Sequence, residues 1–107
     1  MSNSIVRLLN FDCEIERTKY ANGQPAIQLY AADTEHNEQK NCFPGEPLAV
    51  ISICVPDWKL SPNLTCIKNY SECDGLLDDM VSAGLVRDTK RIIPSGHVLL
   101  PVVEVLF

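Results

Sequence analysis

The sequence has few cations and few glycines, and it lacks the motifs that mark many enzymes and nucleic-acid-binding proteins. Nine lysines and arginines stand against fourteen aspartates and glutamates, and this net charge of -5 argues against a surface that binds phosphates. The five glycines form no GxGxxG or Walker pattern, and no GxSxG elbow is present. We therefore predict a protein that is not an enzyme and that uses no cofactor.

The five cysteines form no CxxC pair, which disfavours a zinc ribbon or a redox turn. We interpret them as buried thiols and leave their redox state open. Cys73 would sit in the first turn of a helix, where the dipole lowers a thiol pKa, but it also belongs to the apolar face of that helix. His36 and Cys42 are the only soft ligands in one polar segment, so we predict no metal site there, despite the nearby carboxylates of Asp33, Glu35 and Glu38.

The length of 107 residues suits one domain, and 46% hydrophobic residues are enough for a packed core. We therefore predict a single domain over residues 1–107. No apolar stretch is long enough for a signal peptide or a membrane span, so the expected location is cytoplasmic.

Strand patterns dominate the first half of the chain. Residues 11–17 alternate between apolar and charged side chains, and the turn signal at Asn22 and Gly23 precedes a second apolar run over residues 26–32, which predicts a hairpin. Residues 48–55 are apolar at nearly every position, which favours a central strand covered on both faces. The fourteen-residue polar segment that begins at Asp33 and ends at Glu46 is long enough to predict a mobile or functional loop.

The second half predicts a short strand over residues 64–67, one helix and an apolar C-terminal strand. The helical face is formed by Cys73, Leu76, Leu77, Met80 and Val81; Ser71 is the expected N-cap and Gly84 the expected end, about three turns in all. Because Pro101 lacks an N–H, the C-terminal strand should be bulged or lie at a sheet edge. The predicted fold is α+β, a twisted antiparallel sheet of about five strands with one helix on one face.

The helix carries the most distinctive charge pattern of the chain. Four acids and no cation fall within eight residues, and such a face can engage a basic partner, although it can also be an ordinary solvated face. The predicted partner-binding residues are Glu72, Asp74, Asp78 and Asp79.

Two alternatives remain open. Arg87, Lys90 and Arg91 form the one cationic cluster and could hold the phosphate or carboxylate groups of a sequestered or sensed nucleotide-like ligand, or could neutralise nearby acids. The apolar segment from Val98 to Phe107 could instead pair two copies of the chain as a dimeric structural accessory protein.

The order of several short motifs resembles a family of small proteins of bacterial mobile elements and phages that carry a domain of unknown function. The resemblance spans roughly residues 11 to 105, and the long polar segment departs from it. The motifs are Tyr-Ala-Asn-Gly at 20–23, Ala-Ile-Gln-Leu at 26–29, Gly-Glu-Pro-Leu-Ala-Val at 45–50, Gly-Leu-Val at 84–86 and Ile-Pro-Ser-Gly-His at 93–97.

The resemblance implies a setting in which small acidic proteins block host defences by binding a nuclease or a surveillance complex. It supplies no catalytic residues. The leading expectation is an anti-CRISPR-like inhibitor that occludes a basic surface of a CRISPR-Cas or restriction complex through the acidic helix and the polar loop, without contacting nucleic acid or membrane itself.

Overall fold

Eight strands in two sheets and two short helices make up the part of the chain that the structure, a computed structural model, describes: residues 5–55, 57–69 and 75–107. The strands are β1 (Val6–Leu8), β2 (Phe11–Lys19), β3 (Pro25–Ala31), β4 (Pro47–Val50), β5 (Ser52–Ile53), β6 (Leu64–Ile67), β7 (Val86–Ser95) and β8 (Val98–Val105). The helices are α1 (Glu35–Gln39) and α2 (Leu76–Ser82).

The strands pair antiparallel throughout, in the order β1-β2-β3-β4 in sheet A and β5-β6-β8-β7 in sheet B. The predicted α+β class and the antiparallel pairing are confirmed. The described residues differ from the prediction in detail, because they form two four-stranded sheets and two helices instead of one sheet of about five strands with one helix.

The hairpin of β2 and β3 follows the predicted two-residue period. Its turn closes with a hydrogen bond of 2.9 Å from the Gly23 N–H to the Tyr20 carbonyl, and Gly23 has a φ of +88°, a conformation that glycine adopts without strain. The register sets Cys13 opposite Ala31 and Ile15 opposite Leu29. These side chains line the buried face, so Glu14 and Glu16 face outward.

The apolar run over residues 48–55 is split between the two sheets. The backbone N–H of Ile51 donates to Ile27 of β3 over 3.0 Å, while the carbonyl of Ile51 accepts from the Lys68 N–H over 2.8 Å, just after β6. Ile51 is fully buried. The prediction of one central strand is therefore wrong, because the chain leaves sheet A after β4 and enters sheet B at β5, each an edge strand.

The hairpin of β7 and β8 builds half of sheet B. β7 carries a bulge between Asp88 and Arg91, where Lys90 has a φ of +66°. β8 pairs with β7 along its length but with β6 only over residues 102–104, so the C-terminal strand is central at those residues and lies at an edge at Pro101, as predicted. Pairing of two copies through this strand stays a prediction. Pro101 pairs with Ile92 of β7 but lies beyond the β6 pairing, so its missing N–H leaves no β6 partner unpaired.

Helix α2 covers one end of the sheets with its apolar stripe. Leu76 and Met80 are buried within a cluster that draws on both sheets, whereas Val81 is 41% exposed. The predicted stop at Gly84 is confirmed: the N–H groups of Gly84 and Leu85 donate to Val81 and Met80 over 3.0 Å each, the Schellman pattern. The helix is shorter than predicted, and Ser71 and Cys73 lie outside the described residues.

Candidate protein-binding surface

The polar segment between β3 and β4 is folded around a short helix. Thr34 caps α1 by accepting a hydrogen bond of 3.3 Å from the Asn37 N–H at its hydroxyl. After the helix, the Cys42 N–H donates to the Asn37 carbonyl over 3.0 Å. The segment, which was predicted as a mobile or functional loop, therefore contains a short capped helix.

The side chain of Asn37 fastens this segment to sheet A. It is fully buried, accepts from the Asp12 N–H over 2.9 Å, and donates to the carbonyls of Asp12 over 2.7 Å and of Ala32 over 3.0 Å. The amide thus acts as a strand partner just beyond the last register pair, Cys13 with Ala31. All three hydrogen bonds form in a buried setting, so α1 has a fixed position on β2.

An ion pair lies beside the hydrogen bonds of the Asn37 side chain. Arg7 on β1 donates from Nε to a carboxylate oxygen of Asp12. This hydrogen bond, with a second from Thr34, lowers the pKa of the Asp12 carboxyl below its ordinary value, with the charges of Arg7 and His36 adding to the effect. The ionised carboxylate therefore stabilises the fold above the ordinary pKa of aspartate, and this contribution is lost as the pH falls through the lowered value.

A hollow of about 500 Å³ opens beside α1. Its carboxylates come from Asp33 and Glu38, both exposed, and its most prominent apolar group is Phe43, whose side chain is 75% exposed. The turn that carries Phe43 is held by a 3.0 Å hydrogen bond from the Phe43 N–H to the Glu46 carboxylate. Asn41, Cys42, Pro44 and Thr34 complete the lining.

A second hollow, of about 380 Å³, lies on the outer face of sheet A. Glu14 and Tyr30 line it as a register pair, together with Glu16. The two hollows are neighbours, since Pro44 lines one and Gly45 lines the other. We call six lining groups of the two hollows the loop surface: the half-buried Glu14 and Tyr30, and the exposed Glu16, Asp33, Glu38 and Phe43.

The predicted acidic helix is only half within the described residues. Asp78 and Asp79 are exposed in the first turn of α2, while Glu72 and Asp74 lie outside the described part of the chain. Glu14 and Glu16 are candidate binding residues that were not predicted from the sequence. The sequence contained a signal for them, because the two-residue alternation of β2 directs both carboxylates outward. The register of the hairpin then brings Tyr30 beside Glu14.

The cationic cluster proposed as a ligand site lies on β7, around its bulge. Arg87 donates from Nε to Glu104 over 3.2 Å, and Lys90 is 3.4 Å from Asp88. Arg91 follows the bulge as an exposed residue. Two of the three cations therefore have carboxylate partners, which fits the alternative that the cluster neutralises nearby acids.

Among the described residues, none of the hydrogen bonds joins a cysteine thiol to a histidine ring. Cys13, Cys42 and Cys66 are buried, and burial is the main cause that raises the pKa of each of these thiols, that of Cys66 to about 11. His36 contacts the Asn10 carbonyl through Nε2 at 2.9 Å, and His97 is exposed after Gly96 in the β7–β8 turn. The arrangement therefore favours the protonated thiol at all three cysteines.

We expect the rate of thiol alkylation to be lower at the buried cysteines than at the partly exposed one. At pH 8 about one Cys66 side chain in a thousand would be a thiolate, since the pH lies three units below its pKa of about 11. Iodoacetamide labelling of the native protein, read by peptide mass spectrometry, should therefore modify the partly exposed Cys54 well before Cys66 and Cys13. Denaturation should equalise the rates; equal labelling of Cys54 and Cys66 in the native protein would contradict this burial.

Comparison with known proteins leaves the resemblance as a prediction. No family model, curated protein or solved structure matches the chain. Within residues 5–55, 57–69 and 75–107, no three His, Cys, Asp or Glu side chains come together as a possible metal site. None of the helices described is both long and apolar enough to cross a membrane. Fold and surface together define a small two-sheet α+β domain with an acidic, aromatic surface.

Proposed function

We propose that this protein is a non-catalytic binding protein that occupies a basic surface of another protein. The observation that carries the proposal is the loop surface, where the exposed carboxylates of Asp33 and Glu38 line the same hollow as Phe43, on a segment anchored by Asn37. An exposed aromatic side chain within a charged rim is a common arrangement at the centre of protein interfaces. The net charge of -5 supports a basic partner, because long-range attraction speeds the encounter of oppositely charged surfaces.

The partner that we propose is a host defence nuclease or surveillance complex of the CRISPR-Cas or restriction type. The resemblance to small mobile-element proteins supports this choice. Such complexes hold nucleic acid with lysine and arginine, and these cations would face the carboxylates of the loop surface. The protein would then inhibit by occupying the nucleic-acid channel, and no bond would be made or broken.

The fixed geometry of the loop surface supports binding without a large ordering cost. The Gly45 N–H donates to the Ala31 carbonyl, and the Ala31 N–H donates to the Glu46 carbonyl, each over 2.8 Å. Because the Phe43 N–H also donates to the Glu46 carboxylate, the turn is held against Ala31 at the end of β3. A preformed turn loses less conformational entropy on binding than a mobile loop does.

Neutralising the acids of the first hollow tests this proposal. Against a purified basic nuclease complex that the protein inhibits, we expect the double variant Asp33→Asn/Glu38→Gln to bind about tenfold more weakly, mainly through slower association. Raising the salt concentration should reduce the difference between the variant and the original chain because charges are screened. Association and dissociation rates from surface plasmon resonance, at two salt concentrations, measure both effects.

Two further variants locate the contact. Asp57→Asn removes an exposed acid that lies outside the loop surface and should leave the rates unchanged. The helix variant Asp78→Lys/Asp79→Lys tests the acidic helix, which the sequence analysis proposed as a contact. If neither the loop variant nor the helix variant weakens binding, the proposed use of acidic surfaces is wrong.

A further inference from the structure

The outer face of sheet A presents two ordered rows of side chains across three strands. The register places Glu14 of β2 beside Tyr30 of β3, and Tyr30 beside Pro47 of β4. The next row runs from Glu16 through Gln28 to Val50. Each row therefore passes from a carboxylate, through an aromatic or amide group, to an apolar residue at the exposed edge strand.

Several groups in these rows are free to meet a partner. The carboxylates of Glu14 and Glu16 form no ion pair within the described part of the chain. Arg17, which lines the same hollow, donates to the Phe107 carbonyl over 2.6 Å and to the Asn63 side chain over 3.0 Å. The lining of this hollow therefore carries two carboxylates against one guanidinium, an excess of negative charge.

The remaining groups favour one kind of cation. The amide nitrogen of Gln28 is committed to the carbonyls of Leu29 and Ala49, over 3.1 and 3.0 Å, so it is not free to donate to a ligand. What remains is a tyrosine ring with one carboxylate directly beside it and another on the diagonal. A planar guanidinium can stack on such a ring while its fork of N–H groups reaches a carboxylate, whereas an ammonium offers only a point charge.

We propose that this face binds an arginine side chain of a protein partner, and that the exposed Pro47 and Val50 pack against apolar residues next to that arginine. Charge complementarity supports this proposal, as does the position of the Tyr30 ring directly beside Glu14 and diagonal to Glu16. The inference depends on the proposed function, because it names the chemistry by which a basic partner is recognised. It predicts selectivity for arginine over lysine, which net charge alone does not produce.

Two labelled peptides of equal charge test this selectivity. We expect fluorescein-labelled nona-arginine to bind the intact protein about tenfold more tightly than nona-lysine does in fluorescence anisotropy. Tyr30→Leu should remove the preference, and Tyr30→Phe, which keeps the ring, should retain it. Glu14→Gln should weaken both peptides, while Asp57→Asn, which removes the same charge outside the loop surface, should change neither.

The outcomes separate this inference from the proposed function. Equal affinities for the two peptides, or an arginine preference that survives in a folded Tyr30→Leu protein, would overturn the arginine site. If Tyr30→Leu still inhibits a basic nuclease as strongly as the original chain, the arginine site is wrong and the proposed function stands. An arginine preference that depends on Tyr30, in a protein that inhibits no such nuclease, would support the site and refute the function.

Discussion

Replacing Asn37 with alanine should lower the free energy of unfolding by about 3 kcal/mol. The substitution leaves the Asp12 N–H buried without an acceptor and removes a donor from the carbonyls of Asp12 and Ala32. Those carbonyls keep one donor each, from the Ala32 and Thr34 N–H groups, so the unpaired N–H is the largest part of the cost. Guanidinium unfolding followed by circular dichroism measures the change.

Two further variants make this result specific to the buried amide. Gln39→Ala changes an exposed residue of the same helix and should shift stability by less than about 0.5 kcal/mol. Asn37→Asp should destabilise at least as much as alanine at neutral pH, because a buried carboxylate would face two carbonyl oxygens without donors for them. If Asn37→Ala and Gln39→Ala were equally mild, α1 would not be fastened in the way described.

Replacing Met80 with alanine should cost about 3 kcal/mol of stability. Met80 is fully buried in the cluster that joins α2 to both sheets, so the truncation leaves a cavity that the surrounding core can only partly fill. Val81→Ala, one position along the same helix, is the matched control. Its side chain is 41% exposed, and we expect a change below about 0.5 kcal/mol.

The two helix variants also test the orientation of α2. Thermal unfolding by differential scanning calorimetry should show a clear drop in Tm for Met80→Ala and almost none for Val81→Ala. Similar drops for the two variants would mean that the helix turns a different face to the core, and the exposure of Asp78 and Asp79 would then have to be reassigned.

Local signals predicted much of the secondary structure. The turn at Asn22 and Gly23, the strand over residues 64–67 and the end of α2 at Gly84 all appear where the sequence indicates them, because each depends on the conformational preferences of a few neighbouring residues. The apolar stripe of α2 was likewise readable from its period.

Pairing between strands that lie far apart in the chain could not be predicted from such local signals. The switch between sheets at Ile51 depends on hydrogen bonds to Ile27 and Lys68, which lie far away in the chain. β7 was not predicted from the sequence because its charged residues and its bulge disrupt the two-residue alternation that indicates a strand. Because β7 pairs with one side of β8 and β6 with the other over residues 102–104, the C-terminal strand is an edge only outside those three residues.

The sequence predicted that the candidate site is acidic, but it did not predict which residues form it. The composition indicated a basic partner, and helix periodicity directed attention to Asp78 and Asp79. The loop surface depends on a buried asparagine, and the sequence does not distinguish Asn37 from the polar residues around it. A side chain that completes the hydrogen bonding of a strand becomes recognisable only when that strand has been placed.

The most direct measurement is a titration of the activity of a basic host nuclease complex, at a concentration well above the dissociation constant, with increasing amounts of this protein. Occupation of a surface predicts that activity falls linearly to an end point at about one copy per complex and returns when high salt releases the protein. Complete inactivation by a small fraction of an equivalent, persisting after the protein has been removed, would mean that the chain acts as a catalyst.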